Sequence, residues 1–106
     1  MLIEVRHGEA DGARVVAREA QDLTRLSVRV PALAPADAVD GALRDAGAGL
    51  LDPDGEHAWL RLGWLRAQGG DEAGWLQGFA GMVAHATSRG WTSEDGELVR
   101  AHLRRG

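Results

Sequence analysis

The chain has 106 residues, a formal net charge of −4 and no cysteine, which leaves room for one core of modest size and excludes disulfides and thiolate metal sites. Its 44% hydrophobic and 26% charged content belongs to a folded chain, and its apolar stretches are broken every few residues by Arg, Asp or Gly, too short to span a membrane. The start lacks the basic residues and unbroken apolar run of a secretion signal, so the expected setting is the cytoplasm, and the acidic balance disfavours non-specific adhesion to nucleic acid or to an anionic membrane.

In chain order, Leu2 to His7 reads as a short strand with Ile3 and Val5 on one face, and "GEADG" supplies turn chemistry after it. Arg14 to Glu19 is ambiguous between strand and helix, and strand is preferred. Arg25 to Val30 alternates polar and apolar strictly, so a half-buried strand with Leu26, Val28 and Val30 inward is expected. Pro31 and Pro35 bracket a helix start, with Asp37 and Asp40 near the positive end of its dipole and Val39, Leu43 and Ala46 as its apolar stripe. "GAG" at 47 to 49 ends that helix, a short extended piece follows near Leu50, and "DPDGE" marks a turn.

"HAWLRLGWLRA" is expected to be a strand with Ala58, Leu60, Leu62 and Trp64 inward, because a helix there would carry Gly63 in its middle at about 1 kcal/mol relative to Ala. A long helix is predicted from Asp71 to Gly90 with Trp75, Leu76, Phe79, Met82, Val83 and Ala86 as its core stripe. On another line of that helix Gly74, Gly78, Gly81 and His85 form a bare stripe, suited to close backbone packing or to a groove. Residues 97 to 103 alternate again, with Val99, Ala101 and Leu103 inward and a terminal helix as the competing reading. The whole is expected to be a single α+β domain over residues 1–106: a two-layer sandwich, with a mixed, mainly antiparallel sheet and two helices on one face.

The segment Arg6-His7-Gly8-Glu9 at the end of the first strand resembles the first catalytic segment of the histidine phosphatase family, whose histidine accepts a phosphoryl group. The resemblance implies an enzyme with His7 as nucleophile and Arg6 as a phosphate ligand. The family also uses a second arginine from a Ser-Pro-Leu-x-Arg-Ala-like segment, which this chain lacks, and a second histidine after a buried parallel strand. His85 is the nearest counterpart, but it falls inside the long helix, and the family's sheet with helices on both faces needs a longer chain. An enzyme is therefore not the favoured reading, and no catalytic residue, cofactor or metal is expected. His7, Glu9 and Asp11 carry the right atom types for a divalent cation but lack further ligands at suitable spacing. Ser27, Ser88 and Ser93 have no nucleophile-elbow sequence around them.

Strand parity directs the remaining interest to the outward face. Arg14, Arg18, Arg25, Arg29, Arg61 and Arg100 should point outward, with Trp59 and His102, while most acids fall in turns and helix starts. The complete absence of lysine reflects general residue usage, so arginine alone does not signal phosphate recognition. Arginine beside an exposed aromatic still makes a platform for an anionic or planar ligand. The expected binding residues are Trp59, Arg61, Arg25, Arg29, Arg100 and His102. The leading expectation is a non-catalytic binding or accessory domain that engages a protein partner or an anionic ligand through this face. Self-association as a homodimer is the alternative, and nucleic acid is a less favoured partner.

Overall fold

The computed structural model describes residues 1–8, 12–23 and 26–106, with strand backbone alone at 7, 8, 12 and 13. The elements run β1 (Leu2–Gly8), β2 (Gly12–Arg18), β3 (Ser27–Val30), α1 (Ala36–Asp45), β4 (Gly49–Leu51), β5 (His57–Arg61), α2 (Leu62–Ala67), α3 (Ala73–Ser88) and β6 (Leu98–Arg105). The turn expected in "GEADG" has its centre outside the described residues.

The six strands form one sheet in the order β2-β1-β3-β6-β5-β4. β1 pairs antiparallel with β2, β4 with β5, and β5 with β6, while β1–β3 and β3–β6 are parallel. The mixed, mainly antiparallel α+β architecture is thus the one expected from the pattern. The finer expectation of two layers with two helices gives way to a sheet curled towards a half-barrel and three helices. β6 joins the two halves: the last strand in sequence lies between β3 and β5.

The extra helix comes from the segment expected to be one long strand. His57–Arg61 does form β5, with Ala58 and Leu60 fully buried, but Leu62–Ala67 is the helix α2. β6 begins at Leu98, opposite Arg61, so β5 has no ladder partner on that side beyond this point. Leu62 N–H still reaches the Glu97 carbonyl at 3.0 Å, and the backbone polar groups that follow are satisfied by turning helical. Leu65 is buried in consequence, whereas Leu62 and Trp64 are only half-buried against the core. In so short a helix the cost of Gly63 does not prevail.

The core gathers Ile3 and Val5 of β1, Val28 and Val30 of β3, and Val99, Ala101 and Leu103 of β6. From α1 it takes Val39, Ala42 and Leu43, and from α3 Trp75, Phe79 and Ala86. Ala46 caps α1 and is exposed, and Leu26, Leu76, Met82 and Val83 pack only partly buried against the core. Asp40 ties α1 to β4 by accepting Leu51 N–H at 2.9 Å, a bond that holds its carboxyl below the ordinary value, assisted by Arg44. Two glycines are required by contact: a Cβ at Gly49 would overlap the Trp59 carbonyl, and one at Gly69 would overlap the Trp75 ring. That ring donates from Nε1 to the Ala20 carbonyl at 2.7 Å and stacks on Phe79 with centroids 5.3 Å apart, which fixes the first half of α3. No helix among the described residues is long and apolar enough to cross a membrane.

Candidate functional site

Alternation along β5 and β6 sends His57, Trp59 and Arg61 to the face opposite Ala58 and Leu60, and Arg100, His102 and Arg104 to the face opposite Val99, Ala101 and Leu103. Register then decides which of them are neighbours. Trp59 lies opposite Arg100, His57 opposite His102, and Arg61 opposite Leu98. On the other side of β6, Ser27 stands beside His102 and Arg29 beside Arg104. Trp59, Arg61, Arg100 and His102 are thus gathered on one side of the β5–β6 ladder. Arg29 is set apart, next to Arg104 and about 13 Å along β6 from Arg100. Arg25 lies outside the described residues, as do Glu9 and Asp11. Arg6 is half-exposed and sits 3.5 Å from Glu4, which also receives Arg18 at 2.5 Å.

The Arg100 end of this face is engaged from within the chain. The β4–β5 turn folds its two carboxylates over it, a consequence that sequence parity does not reveal because it concerns the turn and not the strands. Asp52 Oδ2 accepts from Trp59 Nε1 and from Arg100 Nε, both at 3.0 Å. Asp54 Oδ2 accepts from Arg100 Nη2 and from His57 Nδ1, both at 2.8 Å. Backbone N–H groups of Glu56 and His57 donate to Asp54 Oδ1, and these bonds, the one from Glu56 foremost, pull its carboxyl down to about 2. An ionised Asp54 is an acceptor only, so His57 donates to it from Nδ1. His57 and His102 meet edge to face with centroids 5.3 Å apart.

Beyond this locked patch lies a groove of about 990 Å³ between α3 and the strands. Its cationic and imidazole lining is Arg100, Arg104, His57, His85 and His102, and no carboxylate lines it among the described residues. Apolar walls come from Leu23, Leu26, Met82 and Trp91. The bare stripe of α3 contributes Gly78 and Gly81: a Cβ at Gly78 would meet Leu23 at 2.8 Å, while one at Gly81 would meet nothing within 4 Å. Of the two roles open to that stripe, packing describes Gly78 and a groove describes Gly81. Trp91 is 43% exposed, lies edge to face with His85 at 5.9 Å, and has the Arg89 guanidinium 5.9 Å from its ring centroid.

Arg100 and His102 of the expected binding residues line this groove, whereas Trp59, Arg61 and Arg29 do not. Arg104, His85 and Trp91 were not among the expected site residues. The alternation of β6 marks Arg104 as outward, and the glycine stripe marks the α3 side; the pairing of the two required the tertiary structure. Arg104 is exposed and has no carboxylate partner among the described residues. No group of three or more His, Asp or Glu side chains suited to a metal ion occurs among the described residues.

Comparison with known proteins adds no name to this architecture: no protein family, no curated protein and no solved structure matches the chain.

Proposed function

We propose that this chain is a non-catalytic binding domain that takes a small anionic ligand into the groove between α3 and β6. The observation that carries the reading is charge placement. In a chain of net charge −4, a groove bordered by two arginines and three histidines has no carboxylate among its described lining residues. Such a cleft concentrates anions, and its volume falls within the range of small-molecule sites. Arg100 is already neutralised by Asp52 and Asp54, so Arg104 supplies the accessible charge. The Arg/Trp face expected from the sequence is accordingly narrowed to its β6 side.

The test is a thermal-shift screen of matched anionic and neutral small molecules against the wild-type protein and Arg104→Ala. Anionic members should raise Tm, less so at high salt as the charges are screened, and the arginine variant should lose the response. Equal shifts from neutral and anionic members would overturn the reading. So would a concentration-dependent dimer with Trp91 covered, since a second copy would then fill the place given to the ligand.

A further inference from the structure

The geometry points to a planar aromatic anion as the ligand of this groove: a flat ring slotted between Trp91 and the open Gly81 surface of α3, with its anionic group at Arg104 and His102. This rests on the binding reading above and names the ligand's chemistry.

On the helix side of the groove Leu23 closes over Gly78, whereas at Gly81 the space a side chain would fill is open. A glycine inside a helix is unfavourable for the helix itself, so α3 pays for a surface on which another group can approach its backbone closely. Trp91 lines the same groove, with His85 against its edge and Arg89 near its face, contacts that hold the indole in place before anything binds. A ring stacked on a held indole gains contact at little ordering cost, and a flat ring fits where a side chain is missing. The anionic group is directed by charge. Arg104 has Arg29 beside it in register, and Arg29 Nε is directed to the Gly106 carbonyl at 3.0 Å, leaving Arg104 the arginine free to turn to the groove. His102 and Ser27, neighbours across β3 and β6, add hydrogen-bonding groups on the same lining.

Calorimetric titrations test this with five probes: 2-naphthoate, its neutral amide, decanoate, and adenosine monophosphate with adenosine as its neutral counterpart. Binding by naphthoate, the nucleotide or both is expected, with the neutral counterparts and decanoate at least tenfold weaker. Naphthoate alone would assign an aromatic acid, and the nucleotide alone a phosphorylated base; either upholds the shared chemistry. Arg104→Ala should weaken the bound probe about tenfold or more, Trp91→Ala by a similar factor, and Gly81→Leu should abolish binding by filling the slot while the circular dichroism of the helix is retained. If decanoate binds as tightly as the aromatic anions, the aromatic inference fails while the anion-binding reading stands; if the neutral probes bind as tightly, both fail. If Gly81→Leu and Arg104→Ala both leave binding unchanged, the placement fails. If no probe binds, the inference and the reading beneath it fall together.

Discussion

Arg100 and Arg104 stand on the same face of the same strand, four residues apart, and the protein treats them in opposite ways. Arg100 is held by two carboxylates of the β4–β5 turn and is half-buried; Arg104 has no such partner and borders the groove. The first arginine is part of how the sheet keeps its turn and its tryptophan in place. The second meets no carboxylate among the described residues. Residue type and strand parity are identical for the two, so the distinction comes wholly from what the chain brings alongside.

The strongest way to break the contrast is to unseat the helix that walls the open end. Phe79 is buried and stacks on Trp75, so Phe79→Ala should cost about 3–5 kcal/mol, measured by denaturant unfolding; a loss under about 1 kcal/mol would mean that α3 is not seated through this residue. Next in size is Asp52→Ala, which leaves Arg100 Nε and the Trp59 indole N–H without their shared acceptor. Destabilisation of about 1–3 kcal/mol is expected, with a change in tryptophan fluorescence reporting the released indole.

Acid should weaken the locked end through Asp54. Asp54 is depressed from 3.8 to about 2 in the folded protein, chiefly by the Glu56 N–H. The folded state therefore binds fewer protons than the unfolded state between those values. The stability Asp54 contributes is fully present above about pH 4 and is lost as pH falls towards 2. Asp54→Asn should flatten that part of the stability profile, and an unchanged slope would deny Asp54 its role. The smallest effect belongs to Arg104→Ala, which should move Tm by no more than about 3 °C, since it is exposed and has no carboxylate partner among the described residues. A larger fall would show that Arg104 is structural after all and would end the contrast.

Local pattern made much of this legible. Alternation in β3, β5 and β6 identified the inward residues Val28, Val30, Ala58, Leu60, Val99, Ala101 and Leu103 correctly, because one face of each strand must leave water. The "DPDGE" turn and the glycine stripe of α3 were also legible, since both depend on residues adjacent in sequence. The candidate site was legible only in part. Arg100 and His102 were found by parity, but Arg104, His85 and Trp91 come together with them from α3, β6 and the segment between, and no local spacing relates them.

What the sequence determined by itself is therefore the set of elements with a clear period and the face that each residue takes. Tertiary structure decided where β6 inserts, and with it where β5 must stop and α2 begin: a strand continues only while a neighbour can satisfy its backbone, and that neighbour is supplied from 37 residues further along, where Arg61 meets Leu98. It also decided which arginine is neutralised. Asp52 reaches Arg100 across 48 residues of chain, a pairing set by the ladder between β5 and β6, whereas Arg104 on the same strand face lies beyond that turn's reach and keeps its charge for the groove.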